Sequence, residues 1–425
     1  MRIRKFDRVD EIVYSEVLPN GLSVYVIPKS GFKSSFAAFA ADYGGSFVRF
    51  EIDGEFIDTP AGVAHYLEHK MFDMPDGDNA LATLSQNGAD PNAFTSSGMT
   101  CYHFSSTENF EENLRMLLKF VSTPYFTPET VQKEQGIIGQ EIRMTEDNPG
   151  YAVYKNLLRL LYAQHPIRNG VVGTVESIAE ITDKTLYDCH KVFYNPSNMC
   201  LCVEGDVDPE RIIAIAQEVL PKEKGSKPHA DFGKEDEGEP EVKYVEVEME
   251  VSAPQFLIGA RVTPAQNGKE LMRQKLVGQL ALRLLCGRAS QFYTGLYDEG
   301  LLSRDYGYET DYTAGIATTM VEGESRDPGR VLDELKAQAQ CVIDSGFDAD
   351  AFERAKRASY GARLRALEDF GGVCVSVAEC SFEDYDAFDT FEALEGVSKS
   401  ECEDFVKTYL RPEYFVMSVV KPGKA

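Results

Sequence analysis

The chain has 425 residues but only six histidines, no run of 18 apolar residues, no C-x-x-C pair and no surplus of basic charge. Each shortage excludes something. Without a long apolar stretch there is no candidate spanning helix. With 43 basic against 69 acidic residues the net charge is −26, which argues against nucleic acid or an anionic membrane as partner, because neither attracts such a surface. The nine cysteines (Cys101, Cys189, Cys200, Cys202, Cys286, Cys341, Cys374, Cys380, Cys402) are scattered, odd in number and without metal-ligand spacing. They read as reduced, mostly buried thiols of a cytoplasmic protein. The basic start, Met1 to Arg8, runs into Val9-Asp10-Glu11 rather than an apolar stretch, so no signal peptide is read there. With 43% hydrophobic and 26% charged residues the composition is that of a globular protein, and the length suits two domains of about 200 residues each.

What is present carries the more weight because histidine is scarce. Two of the six fall in Ala64-His65-Tyr66-Leu67-Glu68-His69, the H-x-x-E-H arrangement of an inverted zinc peptidase site. At ordinary residue usage such a pattern arises by chance in roughly one chain in a hundred. On a helix, residues four apart share a face, so both imidazoles reach one metal while Glu68 stands beside them. A zinc ion with a carboxylate at hand is what hydrolysis needs. The spacing predicts a helix here, with Thr59 as its cap, Pro60 in its first turn, and Ala61, Ala64 and Leu67 favouring its continuation.

A catalytic zinc usually keeps three protein ligands. The pattern from Glu129 to Met144 predicts a helix that offers Glu134 and Glu141, seven apart and so nearly on one face. Either could bind the metal, with the other orienting a ligating histidine or holding the water network behind the ligands. The apolar residues Val131, Ile137, Ile138 and Ile142 predict that this helix is partly buried. His103, His165, His190 and His229 read as packed or surface histidines.

Strand-like and helix-like segments alternate along the chain. Leu22 to Ile27, Phe36 to Ala41, Thr100 to Phe104 and Met199 to Val203 read as strands, and Leu81 to Gln86 and Glu108 to Ser122 as helices. Pro221 to Pro240, rich in Lys, Glu, Gly and Pro, reads as a linker. Shifted by 221 residues, the first half aligns weakly with the second: the strand around Phe36 meets Phe256 to Ala260, and Thr130 to Lys133 meets Ala351 to Arg354. At that offset His65, Glu68 and His69 meet Cys286, Ala289 and Ser290, while Glu134 and Glu141 meet Ala355 and Ala362. No histidine follows His229, so the second half cannot rebuild the site.

With these residues in view the chain resembles the pitrilysin, insulin-degrading enzyme and mitochondrial processing peptidase family of inverzincins. The resemblance rests on Leu18 to Leu22, His65 to His69, Asn92-Ala93-Phe94-Thr95, Glu134 to Glu141 in a helix ending near Asp147-Asn148-Pro149, His165-Pro166, Gly173 to Ile178 and Tyr194 to Met199. It implies that His65, His69 and Glu141 bind one Zn2+ per chain, that Glu68 is the general base, and that Glu134 supports the site. It implies too that Asn92, Ala93, Phe94 and Thr95 lie on an edge strand that pairs with the substrate backbone. A chain of this size is similar to the half-length bacterial members, which work as homodimers or as heterodimers with an inactive homologue. The family uses an Arg and a Tyr from its inactive half to hold the substrate carbonyl; here Tyr297 stands where the arginine would, leaving Arg304, Tyr306 and Tyr308 as substitutes.

The expected architecture is α+β, of the LuxS/metallopeptidase-like type. Two similar domains would each form an antiparallel-rich sheet with helices packed on one face: 1–221 catalytic and zinc-binding, 222–240 a charged linker, 241–425 homologous but without zinc ligands. The expected function is a zinc metalloendopeptidase that cuts extended peptides. Two others stand beside it: a scaffold subunit that binds zinc and peptide but cleaves little, and a zinc enzyme of another substrate class such as an amidase.

Overall fold

A computed structural model describes residues 1–235, 238–266 and 268–423. The first sheet is built from β1 (Arg2–Phe6), β2 (Glu11–Val17), β3 (Ser23–Pro28), β4 (Ser35–Ala41), β7 (Ala89–Thr95), β8 (Thr100–Ser106) and β9 (Met199–Gly205). A separate hairpin, β5 (Arg49–Ile52) and β6 (Glu55–Asp58), falls between β4 and β7. The first eight helices are α1 (Val63–Lys70), α2 (Ala80–Gln86), α3 (Phe110–Val121), α4 (Pro128–Glu146), α5 (Pro149–Leu161), α6 (Val175–Ala179), α7 (Asp183–Phe193) and α8 (Pro209–Val219). The second sheet uses β10 (Tyr244–Met249), β11 (Gln255–Val262), β12 (Gly307–Thr313), β13 (Ile316–Glu324) and β14 (Val416–Pro422). Its part of the chain carries α9 (Gly268–Cys286), α10 (Gln291–Asp298), α11 (Pro328–Ser345), α12 (Ala349–Ala366), α13 (Phe370–Phe382), α14 (Asp389–Gly396) and α15 (Lys399–Tyr409).

The two sheets share one topology. The first runs β1-β2-β3-β9-β4-β8-β7 and the second β10-β14-β11-β13-β12. In each, one pair is parallel (β3 with β9 inside the first sheet, β10 with β14 at the edge of the second) and the other neighbours are antiparallel. The second sheet is the first without β1 and β2. The repeat at an offset of 221 is therefore structural: Ser23 and Tyr244 open β3 and β10, and α4 and α12 begin that far apart.

The chain forms two compact units that are not contiguous halves. One comprises residues 1–142, 169–232 and 364–388; the other 143–168, 233–363 and 389–425. Segments 143–168 and 364–388 are thus exchanged, and their starts, Arg143 and Leu364, differ by the same offset. The period-2 pattern of the strands explains how each exchanged helix is accommodated. In the first unit Val24, Val26, Ala37, Phe39, Tyr102, Phe104, Leu201 and Val203 point into a core shared with α1, α3, α7 and α8. The alternate residues Ala38, Ala40, Cys101, Cys200 and Cys202 are equally buried, because α13 crosses the other face over β4 and β9. The second sheet has α9, α11 and α15 against it, and α5 packs on β11 and β14 through Val153, Leu157, Leu158 and Leu161. Gly259 on β11 permits that approach: a Cβ there would come within 2.9 Å of Leu157.

The expected linker has no regular structure but is not loose. Within 221–235, the Glu51 N–H donates to His229 and the Asp231 N–H to Arg49, both carbonyls, and Phe232 meets Phe47 edge-on. Asp236 and Glu237 lie outside the described residues. None of the nine cysteines forms a disulfide; eight are buried and Cys341 is exposed. No helix among the described residues is long and apolar enough to cross a membrane.

Candidate metal centre

The candidate metal centre forms where α1 meets α4. Thr59 does not cap α1, contrary to the expectation: its N–H and hydroxyl both go to the Val48 carbonyl. The helix instead starts after Gly62, whose left-handed conformation (φ 93°) needs glycine and whose Cβ, if present, would stand 2.6 Å from the Val172 carbonyl oxygen. Gly173 is constrained in the same way against Ala61, and the Ser177 hydroxyl donates to the Ala61 carbonyl at 2.7 Å. The Gly173-to-Ile178 segment therefore fixes the start of the metal helix. α4 is anchored by Val131, Ile138 and Ile142 in the core, while Ile137 is 49% exposed, contrary to expectation. The Tyr66 hydroxyl of α1 donates to the Val131 carbonyl of α4 and sets the two helices in register.

That register brings His65, His69 and Glu141 together, with one donor atom from each within 4.8 Å of the others. His65 Nε2 lies 3.3 Å from Glu141 Oε1, and His69 Nε2 lies 3.5 Å from Glu141 Oε2. Donors bound to a tetrahedral zinc at about 2.0–2.1 Å stand about 3.3 Å from one another, so the donor set and its spacing fit zinc. His69 Nδ1 lies 3.1 Å from Glu134 Oε1. A proton held between them leaves Nε2 as the free lone pair, the role of a carboxylate behind a ligating histidine. Burial pushes the His69 pKa down, but the bond to Glu134 and the charges of Glu141 and Glu68 outweigh it, and the net direction is upward. The bond from His69 holds Glu134 below the usual carboxylate range, and that from His65 does the same for Glu141. Of the two glutamates left open by spacing, Glu141 stands with both histidines and Glu134 behind one.

Glu68 is buried beside its histidine neighbours, and its Oε2 accepts a 2.6 Å hydrogen bond from the Thr95 hydroxyl. Spacing gave no sign of this contact; only the register of β7 beside α1 reveals it. Asn92, Ala93, Phe94 and Thr95 lie on β7, the last strand of the first sheet. The Ala93 N–H is held by the Asn92 side-chain oxygen at 2.9 Å. In the other unit, Tyr306 is buried and its hydroxyl donates to the Cys286 carbonyl at 2.7 Å. Tyr308 lies on β12, partly buried, and Arg304 is exposed in a turn. The remaining histidines serve packing: His103 stacks on Phe36, His165 bonds the Ala314 carbonyl, His190 the Val121 carbonyl, and exposed His229 meets Glu51.

Comparisons with known proteins identify the family. The model of the insulinase peptidase family (M16) matches residues 53–175, and that of the M16 inactive domain matches 180–359. An uncharacterized zinc protease of Bacillus subtilis, YmfH, is 35% identical over 98% of both chains. The chain belongs to the insulinase family of peptidases. A crystal structure named for an M16-like peptidase of Alicyclobacillus acidocaldarius superposes with a TM-score of 0.92 at 30% identity, covering 97% of this chain and 99% of that one. A Helicobacter pylori protease shares the fold, with a TM-score of 0.82 at 17% identity, covering 96% of this chain and 99% of that one.

Proposed function

We propose that the chain is a zinc metalloendopeptidase that hydrolyses extended peptides. One observation carries the reading: two imidazole nitrogens and a carboxylate converge at zinc-ligand spacing with a buried carboxylate, Glu68, between them in sequence. His65, His69 and Glu141 would hold the ion, which when bound supplies Lewis acidity for the carbonyl and for water. Glu68 takes the proton of the attacking water and passes it to the leaving amine. Glu134 keeps His69 in the ligating tautomer. The edge strand β7 offers backbone groups that only an extended chain can pair with, so flexible peptides are substrates and folded domains are not. A second half-length chain, identical or an inactive homologue, would complete the enclosure around the peptide. Nine cysteines without a disulfide suit a reducing compartment, the cytoplasm.

A second reading, a subunit that binds zinc and peptide but turns over little, has its own support. Tyr297 replaces the expected arginine, and the Tyr306 hydroxyl is already bonded to Cys286; a missing oxyanion donor costs about 10²–10³ in turnover.

One experiment separates the two. The zinc-loaded protein is incubated with a mixed peptide pool, with and without chelator, and products are identified by mass. Internal cleavage that stops with chelator and with Glu68→Gln, while that variant keeps its zinc, supports the peptidase. Peptide retained uncut by the zinc-loaded protein supports the binding subunit instead.

A further inference from the structure

Glu68 needs more than proximity to move a proton. Its side chain has three rotatable bonds, and a base that wanders among rotamers loses the alignment on which proton transfer depends. The only hydrogen bond to its carboxylate among the described residues comes from Thr95 Oγ1, at 2.6 Å to Oε2. Hydroxyl-to-carboxylate bonds of that length are charge-assisted and stronger than neutral ones. Oε1 accepts no hydrogen bond from the described residues.

Thr95 is itself held in place. It ends β7 and pairs directly with Thr100, which opens β8. Thr100 is fully buried, its hydroxyl lies 3.3 Å from that of Thr95, and it donates its proton to the Tyr43 carbonyl at 2.8 Å. The turn between the strands is closed by Ser96, whose N–H donates to the Met99 carbonyl at 2.8 Å. The β-branched Thr95 side chain has a stiff χ1, so its hydroxyl is aimed from a fixed backbone.

Resting on the peptidase reading above, we propose that Thr95 is a positioning residue: its hydroxyl fixes Glu68 in one rotamer and leaves the second carboxylate oxygen for the proton in transfer. Because Thr95 terminates the strand that pairs with substrate, the orientation of the base and the seat of the peptide belong to one rigid element.

The test uses Thr95→Val, which keeps shape and loses the hydroxyl, and Thr95→Ser, which keeps the hydroxyl. Zinc content, kcat and KM on a peptide, and crystal structures of both variants are measured. Thr95→Val should hold one zinc, lose roughly ten- to hundredfold in kcat with KM within about twofold, and show Glu68 in more than one rotamer around unmoved His65, His69 and Glu141. Thr95→Ser should regain most of the rate and the single rotamer. Unchanged kcat in Thr95→Val, a loss confined to KM, or a single unmoved Glu68 rotamer in its crystal structure would overturn the proposal. If the parent protein cuts no peptide, the peptidase reading fails by itself, and the Glu68 rotamer still decides the role of Thr95.

Discussion

The two units carry the same five-strand order and differ in what stands beside it. In the first, α4 presents Glu134 and Glu141 towards α1 with its two histidines; in the second, the positions 221 residues on, along α12, are Ala355 and Ala362, and the sequence holds no histidine after His229. The sheet is therefore a scaffold that tolerates the chemistry without requiring it. A handful of side chains on two helices separate a candidate metal centre from a copy of its fold without the donors.

The sharpest way to test this contrast is to remove a ligand. Glu141→Gln should weaken zinc by more than about a hundredfold in competition with a chelator, while Ala362→Gln in the matching position leaves zinc unchanged. Equal losses from both would dissolve the distinction between the units.

The next effect concerns the exchanged helices. Leu157 on α5 is fully buried against the second sheet, so Leu157→Ala should cost about 2–5 kcal/mol. Hydrogen exchange should show the lost protection first in β11 and β14, not in the sheet that precedes α5 in sequence. Val377→Ala on α13 should do the same to β4 and β9 at about 2 kcal/mol.

A third effect follows pH. Burial lowers His190 in the first unit to about 4, against a bond to the Val121 carbonyl that raises it. The unfolded chain takes up its proton near 6.5 and the folded chain does not. The stabilisation is therefore complete above pH 6.5 and lost as pH falls to about 4, roughly 3 kcal/mol in all. Unfolding midpoints measured across that window should fall in the parent and flatten in His190→Gln. His165 in the second unit is lowered in the same direction by burial, so His165→Gln should flatten the curve in its own unit.

The smallest effect belongs to Glu134. Glu134→Gln keeps all three donors and should weaken zinc by about 10–100-fold. That is less than Glu141→Gln; the opposite ranking would exchange their roles.

Much of this was legible from spacing. Intervals of four and seven residues place side chains on one helix face whatever the tertiary context, so His65, His69, Glu134 and Glu141 could be grouped before any contact was known. Four strands of the first sheet, β3, β4, β8 and β9, were legible as short apolar or β-branched runs between turn residues, while β1 and β2 were not. What escaped was non-local. Leu157 and Val377 announce that their helices have a buried face, but an amphipathic pattern does not name the sheet that covers it. The start of α1 was misplaced because Thr59 and Pro60 carry ordinary capping signals, while the real constraint at Gly62 comes from Val172, far along the chain. Ile137 stands among core residues in sequence, and local pattern alone does not tell it from them. The Thr95 contact depends on strand register, which local pattern does not give.

The exchange of 143–168 and 364–388 has a consequence for how the molecule can be taken apart. The chain passes between the units at five places, and the stretch near 232 is one of them. A protease that nicks the segment 221–235 cuts a single passage and leaves four intact. Neither fragment would depart as a finished domain: residues 1–221 would lack α13 over β4 and β9, and would carry α5 with Leu157, Leu158 and Leu161 stripped of their sheet. Separate production of the halves should therefore yield partners that complete each other only when mixed.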